Sequence, residues 1–185
     1  THLLKAAKAN GVSKYFFATS ACVYNADKQN KTLIDPLKEE DAYPAMPEDG
    51  YGWEKLFSER MCRHFYEDYG LETRVARYHN VYGPNGTWDG GREKAPAAIC
   101  RKVAYLPEEG GTIEVWGDGL QTRSFLYIDE CIEATRRMME SDFIGPVNIG
   151  SEEMVTINQL VDTAAKVSGK KVDKNHIDGP LGVRG

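Results

Sequence analysis

The sequence predicts an α/β fold built on a parallel sheet, and two patterns indicate it. An apolar, aromatic run without regular polar alternation, as expected for a strand buried on both faces, occurs at 14–19, and the next strand is expected at 71–78. A long segment with helical spacing separates them at 51–69, and Gly70 closes it. Because strands that alternate with helices are typical of parallel sheets, this order favours the α/β class.

The remaining elements follow from the same signals in chain order. Residues 3–9 read as the end of a helix that Asn10 and Gly11 stop. Three prolines and many polar side chains at 25–48 predict a long surface loop. After a glycine-rich loop at 85–91, we expect a helix at 96–105, strands at 112–116 and 122–128, a helix at 129–140, a strand at 146–150 and a helix at 156–168.

Composition excludes several classes of protein. The net charge of −5 argues against a nucleic-acid-binding surface. No apolar run approaches the roughly 18–20 residues of a membrane-spanning helix. The four cysteines are widely spaced and form no CxxC pair, which predicts neither a metal site nor a disulfide framework and favours a reducing, cytoplasmic setting. The start of the chain shows no signal peptide and no initiator methionine, so we expect a piece of a longer chain.

Four segments together predict an active site, at 20–22, 51–55, 79–84 and 92–94. Tyr51 and Lys55 are four residues apart and share a helix face. An ammonium beside a phenol favours the phenolate, which suits the tyrosine to proton transfer. Ser20 follows a predicted strand, at the carboxyl edge where parallel sheets bind ligands, and could orient a reacting oxygen.

Two further side chains extend this chemistry. Cys22 and Lys94 supply a thiol and a second ammonium, which form another acid/base pair. Asn80 also follows a predicted strand and therefore falls at the same sheet edge as Ser20. Together these groups are suited to moving protons while a hydride leaves or reaches the same substrate.

The order of these motifs resembles the extended short-chain dehydrogenase/reductases, the NAD-dependent epimerase/dehydratase family. The resemblance runs through nearly the whole chain and rests on Ser20, Tyr51-x-x-x-Lys55, the Arg-Tyr-His-Asn-Val-Tyr-Gly-Pro segment at 77–84 and the segment at 117–125. It implies the C-terminal part of a Rossmann-like, doubly wound parallel sheet with a smaller α/β substrate-binding region. It also implies a tightly held NAD cofactor and a nucleotide-sugar substrate.

Three further stretches narrow the resemblance. Ser-Ala-Cys-Val-Tyr at 20–24 with Gly-Gly-Arg-Glu-Lys-Ala-Pro-Ala-Ala at 90–98, and the segment 116–125, resemble the members that epimerise GDP-mannose at C3 and C5. The implied products are GDP-L-galactose and, after inversion at C5 alone, GDP-L-gulose. The implied route is a transient oxidation at C4 by bound NAD.

The resemblance also implies roles for the matched residues. Tyr51 would remove the C4 hydroxyl proton, Lys55 would hold the cofactor ribose and Ser20 would bind the reacting oxygen, with Thr19 placed at the cofactor. Cys22 and Lys94 would work from opposite faces of the sugar, as inversion of a carbon requires. The remaining substrate-binding residues implied are Asn80, Gln121, Arg123 and Arg184, besides Ser20 and Lys94.

On this resemblance, residues 1–83 are the C-terminal part of the NAD-binding domain. Residues 84–185 are mainly a nucleotide-sugar-binding region whose strands and helices return to the core. The chain carries no Gly-x-x-Gly-x-x-Gly turn, which we expect roughly a hundred residues before Thr1. We also expect a C-terminal tail beyond the chain, weak NAD binding and little activity by the fragment alone, and a homodimer formed through the helix that begins near Tyr51.

Other interpretations stay open from the residues alone. Tyr51 could be a surface aromatic beside a snorkelling lysine, Cys22 a buried small hydrophobe and Lys94 a solvated lysine. His79 is interpreted as a satisfied, partly buried histidine. The alternative functions are a nucleotide-sugar 4-epimerase, a 4,6-dehydratase, for which we expect Asp-Glu where Ala21 and Cys22 stand, or a non-catalytic NAD-binding protein. We expect Cys62, Cys100 and Cys131 in the core and interpret Trp53 and Trp116 as packing residues.

Overall fold

A computed structural model describes residues 1–29 and 36–179. The helices are α1 (His2–Ala9), α2 (Gly50–Tyr69), α3 (Ala95–Ala104), α4 (Ile128–Glu140) and α5 (Ile157–Ser168). The strands are β1 (Lys14–Ser20), β2 (Glu72–Tyr78), β3 (Val81–Tyr82), β4 (Gly111–Trp116), β5 (Thr122–Ser124), β6 (Leu126–Tyr127), β7 (Pro146–Ile149), β8 (Met154–Thr156) and β9 (Val172–Ile177).

The chain divides into two compact units. The first comprises Thr1–Lys28, Pro36–His79 and Asp129–Gly150. Among the described residues, the second comprises Gln29, Asn80–Ile128 and 151–179.

The first unit is built on a parallel sheet of strand order β1-β2-β7. β1 and β2 run in register from Lys14 beside Glu72 to Ser20 beside Tyr78. Helix α2 provides the crossover between these two strands, as the predicted α/β class requires. The predicted fold class is therefore confirmed.

Helix α2 is defined at both ends by its sequence. The Asp49 carboxylate accepts a hydrogen bond from the Gly52 amide at 2.8 Å, which satisfies one of the free donors of the first turn. Gly70 ends the helix with a φ of +65°, in the left-handed region that glycine tolerates best. The helix packs Cys62 and Phe65 into a core cluster with residues of α1 and β2.

Two cations from the sheet bind the end of α4. Lys14 Nζ donates to the Met139 and Ser141 carbonyls at 3.0 and 3.3 Å. The fully buried Arg74 donates to Ser141 O through Nε and Nη2 at 3.0 and 2.7 Å. Because the last carbonyls of a helix lack partners and carry partial negative charge, these contacts stabilise the helix end.

Within its described residues, the second unit contains three strand pairs. β4 with β9 and β3 with β6 are parallel, whereas β5 with β8 is antiparallel. Helices α3 and α5 pack on the β4–β9 pair through one apolar cluster: Ile99, Val103, Ile113, Val115 and Val161. Helix α5 begins with a capping box of Thr156 and Gln159 and ends at Gly169, which has a left-handed φ.

Several local predictions were wrong. The segment predicted as a surface loop includes short 3-10 helices at Ala26–Gln29 and Glu39–Ala42, and Ala42 is fully buried. The strand expected at 122–128 breaks into β5 and β6 because each half pairs with a different strand. Strands β3, β8 and β9 were not predicted. Cys100 was expected in the core but is exposed, whereas Cys62 and Cys131 are buried. Trp53 and Trp116, interpreted as packing residues, are 46% and 56% exposed.

The described residues contain no helix that is both long and apolar enough to cross a membrane.

Candidate active site

Ser20 and Cys22 lie together where β1 ends. Ser20 is the last residue of the strand, and its Oγ accepts a hydrogen bond from the Cys22 amide at 3.2 Å. This contact caps the 3-10 turn Ala21–Val23, which places Cys22 at the surface and Val23 in the interior. The turn therefore presents the thiol to solvent while its next residue is fixed by packing.

Tyr51 and Lys55 share the first turns of α2, as their spacing predicts. Lys55 Nζ lies 5.5 Å from the centre of the Tyr51 ring and 5.1 Å from that of Phe17. The same ammonium donates a hydrogen bond to the Ala18 carbonyl at 3.0 Å. An ammonium carries three donors, so two remain for other groups. Tyr51 is 49% exposed, so about half of the residue is open to solvent.

The Cys22 turn packs directly on the first turn of α2. A Cβ on Gly52 would lie 2.2 Å from the Cys22 carbonyl oxygen and 2.8 Å from the Pro47 Cβ. Only a glycine allows this approach of helix and turn. The structure thus brings the turn that carries Cys22 into contact with the helical turn that carries Tyr51.

Thr19 is a buried residue with an unused hydroxyl. It is 4% exposed, and its Oγ1 has no hydrogen-bond partner within the described ranges 1–29 and 36–179. A buried polar group without a partner costs about 1–3 kcal/mol. A polar ligand group that reached Thr19 would remove this cost. Together with the two remaining donors of Lys55, the hydroxyl fits the polar groups of a dinucleotide.

A buried ion pair that the sequence analysis did not identify lies under these residues. Arg77 of β2 and Glu59 of α2 are 1% and 6% exposed. The guanidinium donates to both carboxylate oxygens, from Nε to Oε1 at 3.0 Å and from Nη2 to Oε2 at 2.6 Å. Burial opposes the charge of Arg77, but its hydrogen bonds and attraction to Glu59 outweigh burial and raise the pKa of Arg77.

The pair extends into a network of polar side chains. Arg77 Nη1 donates to the Tyr24 hydroxyl at 3.2 Å and to the Glu39 carbonyl at 2.7 Å. The Tyr24 hydroxyl in turn donates to Asn148 Oδ1. Burial raises the pKa of Tyr24, so its hydroxyl stays protonated and able to donate.

His79 joins the network at Asn148, with 3.1 Å between Nε2 and Oδ1. Burial lowers its pKa, which favours the neutral ring. His79 is therefore partly buried and hydrogen-bonded, in agreement with its interpretation from the sequence. The local sequence does not single out Arg77, because β2 also carries the charged residues Glu72 and Arg74.

The other predicted site residues belong to the second unit. Asn80 has a φ of +43°, and its side chain donates to the Ser124 carbonyl at 3.0 Å. Gln121 Nε2 donates to the Trp116 carbonyl at 3.1 Å, and Arg123 Nη1 to the Thr122 carbonyl at 2.6 Å. The accepting main-chain carbonyls belong to β4 and β5.

Lys94 immediately precedes α3 and is exposed. Its neighbour Glu93 is held by Arg101 through a hydrogen bond of 2.8 Å and accepts a second one from the Gly91 amide. The glycine-rich segment before α3 is thus fixed next to Lys94. Arg184 lies outside the described residues. Within residues 1–29 and 36–179, no cluster of three or more His, Cys, Asp or Glu side chains is arranged to hold a metal ion.

Comparison with curated proteins finds relatives along the whole chain. The GDP-mannose 3,5-epimerase of Arabidopsis thaliana is 52% identical over 184 residues, which are 100% of this chain and 48% of the relative. A GDP-mannose 3,5-epimerase 1 from Oryza sativa subsp. indica gives the same identity and coverage. The chain thus spans about half the length of the curated relatives it matches.

Solved structures share the fold. A UDP-N-acetylglucosamine 4-epimerase from Methanobrevibacter ruminantium superposes with a TM-score of 0.85 at 28% identity, over 99% of this chain and 56% of that one. A UDP-glucose 4-epimerase from Thermotoga maritima gives 0.84 at 26% identity, over 98% and 56% of the two chains. These likenesses agree with a Rossmann-like fold. Residues 1–150 match the NAD dependent epimerase/dehydratase family, and the chain belongs to that family.

Proposed function

We propose that the complete protein to which this chain belongs is a nucleotide-sugar isomerase that epimerises GDP-mannose at C3 and C5. The observation that carries the proposal is the 52% identity to GDP-mannose 3,5-epimerases over the whole chain. The two 4-epimerase structures described above share only 28% and 26%. The expected products are GDP-L-galactose and, after inversion at C5 alone, GDP-L-gulose.

The residues of the first unit would carry out the redox part of the reaction. NAD, when bound, supplies the hydride acceptor for C4 and returns the hydride at the end of the cycle. Tyr51 takes the proton of the C4 hydroxyl, and Lys55 holds the cofactor ribose. Ser20 donates a hydrogen bond to the reacting oxygen, and Thr19 gives its unused hydroxyl to the cofactor.

Cys22 and Lys94 would carry out the epimerisation. The ketone at C4 acidifies the hydrogens at C3 and C5, so a proton can leave either carbon. Inversion requires one group to remove that proton and another to deliver a proton to the opposite face. The exposed thiol and the exposed ammonium supply the two groups. A dehydratase would use carboxyl groups where Ala21 and Cys22 stand.

The second unit would bind the nucleotide-sugar. Asn80 and Gln121 offer amides to the sugar, and Arg123 offers its guanidinium to the diphosphate. Arg184 is proposed as a second diphosphate-binding residue. In this proposal residues 1–83 belong to the NAD-binding domain and 84–185 mainly to the substrate-binding region.

We also propose that the protein is a cytoplasmic homodimer formed through α2. The exposed face of this helix carries Trp53 and Phe57, four residues apart and 46% and 63% exposed. Large apolar side chains that are grouped on a helix surface are typical of interfaces. All four cysteines are free, which agrees with a reducing compartment.

Isotope exchange in deuterated water tests the epimerase proposal. The full-length protein with bound NAD is incubated with GDP-mannose, and deuterium at each sugar carbon is measured by NMR. We expect deuterium at C3 and C5. Exchange at neither carbon would refute the 3,5-epimerase function, and inversion at C4 without exchange would identify a 4-epimerase.

Two cysteine variants test the thiol separately. Cys22→Ala should lose at least one of the two exchanges, because one acid/base group is then missing. Cys100→Ala is the matched control, since Cys100 is also exposed but belongs to α3 and has no role in the proposed reaction. Unchanged exchange in Cys22→Ala would refute the role of the thiol while leaving the enzyme class intact.

A further inference from the structure

Tyr24, two positions after Cys22, holds the 3-10 turn of Cys22 to the protein interior; we call this residue the anchor of the turn. Tyr24 is fully buried and packs in one apolar cluster with Val23, Ala42 and Leu56 of α2. Its hydroxyl is the polar end of an otherwise apolar contact. Because Tyr24 lies so close to Cys22 along the chain, any displacement of its ring is transmitted to the turn that presents the thiol.

Arg77 connects this anchor with the helix of Tyr51. Its guanidinium contacts Glu59 of α2 through two hydrogen bonds and the Tyr24 hydroxyl through Nη1, and it lies 5.1 Å from the centre of the Tyr24 ring. Tyr51, Lys55 and Glu59 follow each other at intervals of four residues and therefore lie along one face of α2. The network thus holds the same face that carries the tyrosine and lysine.

Stability alone is a poor explanation for a charged pair in this position. Replacing a buried ion pair by well-packed apolar residues is often neutral or stabilising, because desolvation of the two charges is costly. A bidentate guanidinium–carboxylate pair does, however, admit only a narrow range of distances and angles. Through its contact with Tyr24, the ion pair of Arg77 and Glu59 therefore fixes the position of the Cys22 turn against α2. Gly52 and the Cys22 carbonyl meet at that contact.

We propose that Tyr24 is a positioning residue for the reaction. Its hydroxyl, held between Arg77 and Asn148, fixes the position of Cys22 relative to Tyr51. The thiol that acts at C3 or C5 and the tyrosine hydroxyl that acts at C4 then reach the same bound sugar. This inference rests on the proposed function for the roles of Cys22 and Tyr51. It assigns Tyr24 no contact with substrate.

The Tyr24→Phe substitution tests the proposal without removing the anchor from the core. It keeps the buried ring and removes only the hydroxyl. Arg77 Nη1 keeps its bond to the Glu39 carbonyl, and Asn148 Oδ1 keeps its contact with His79. The matched control is Tyr78→Phe in β2, a half-buried tyrosine whose hydroxyl pairs with Thr135 of α4 at 2.6 Å.

The first measurement separates the two chemical steps in the full-length holoenzyme with GDP-mannose. The absorbance of bound NADH reports oxidation at C4, and deuterium uptake reports proton exchange at C3 and C5. In Tyr24→Phe we expect the slower of the two exchanges to fall about tenfold or more, while NADH formation changes by less than about twofold. An equal fall in both rates, or no fall in exchange, would overturn the proposal, because a general structural defect does not separate the steps.

The second measurement needs no substrate. The alkylation rate of Cys22 by iodoacetamide is followed by mass spectrometry, with the exposed Cys100 of the same molecule as internal reference. We expect the ratio of the two rates to change at least about threefold in Tyr24→Phe and to stay constant in Tyr78→Phe. If the wild-type protein shows no NADH formation and no exchange, the proposed function fails. The alkylation ratio still decides whether Tyr24 positions Cys22, and a constant ratio refutes it.

Discussion

Gly52 of α2 lies so close to Cys22 that a single added carbon would occupy the space of the Cys22 carbonyl oxygen, 2.2 Å away. We predict that Gly52→Ala lowers epimerase activity about tenfold or more, because the turn and the helix must separate. We also expect the free energy of unfolding to fall by about 1–3 kcal/mol, as for other overpacked sites. Steady-state kinetics and denaturant unfolding check both effects.

The control for this prediction stands two residues earlier. A Cβ on Gly50, in the same helical turn, would meet no atom within 4 Å. Gly50→Ala should therefore leave activity unchanged and leave stability equal or slightly higher. Equal behaviour of the two variants would show that the close contact has no functional consequence.

Tyr51→Phe should abolish most of the oxidation at C4. The substitution removes the proton acceptor, and general acid/base groups contribute typically about 10²- to 10⁴-fold. Formation of bound NADH on mixing the holoenzyme with GDP-mannose measures the loss directly. Tyr66→Phe, an exposed tyrosine of the same helix, is the control that should keep the wild-type rate. A Tyr51→Phe rate within a few-fold of the wild type would contradict the assignment.

The cysteines should divide into two classes of reactivity. The thiolate is the reactive form, and burial raises the pKa of Cys62 to about 11 and also raises that of Cys131. At pH 8 we expect iodoacetamide to modify the exposed Cys22 and Cys100 and to spare the two buried cysteines in the native protein. Mass spectrometry of tryptic peptides reads out each site. Modification of all four cysteines in denaturant would confirm that burial in the folded state, and not the neighbouring residues in the sequence, protects Cys62 and Cys131.

His79 should make the native state less stable in mild acid. Burial lowers the pKa of His79 in the folded state below the ordinary value of 6.5, which the unfolded chain keeps. Near and below about pH 6.5, the unfolded chain therefore binds a proton at His79 more readily than the folded protein does. The free energy of unfolding should therefore fall as the pH decreases through that value. His79→Gln should flatten the slope between pH 7 and pH 5, measured by denaturant unfolding at each pH.

Substitution of the exposed His2 should leave this pH dependence in place, because its side chain is not buried on folding. A His79→Gln slope equal to that of the wild type would show that another group causes the acid sensitivity.

Phe57→Glu should convert the proposed dimer into a monomer. The substitution places a charge at the centre of the exposed apolar face of α2, where it would have to be desolvated on association. Size-exclusion chromatography with light scattering measures the mass. Val167→Glu, at an 84% exposed apolar position of α5, is the control that should not change it. A dimeric Phe57→Glu protein would place the interface elsewhere.

The sequence was sufficient where short-range spacing decides the structure. The bounds of α2 and α5 follow from a capping side chain at one end and a glycine at the other, both visible in the sequence. The proximity of Tyr51 to Lys55, and of Ser20 to Cys22, follows from separations of four and two residues within regular elements.

Features that depend on distant pairing could not be predicted in the same way. β9 is half-exposed and polar, and it is a strand because it pairs with β4 from far along the chain. Glu59 and Arg77 are charged residues whose burial becomes visible only when α2 lies on β2. Cys100 was wrongly placed in the core because an apolar neighbourhood in the sequence does not define which side of α3 faces inward.

The cations that bind the end of α4 have a consequence at the opposite edge of the sheet. Lys14 and Arg74 stand near the starts of β1 and β2, and both reach the Ser141 carbonyl, so the two strands are aligned against one common point. A slip of one residue would shift the strands by about 3.3 Å and turn the side chains to the other face. These two cations therefore fix the alignment of β1 with β2, and Ser20 lies beside Tyr78 because that alignment is set near the start of the ladder, six residues away at Lys14.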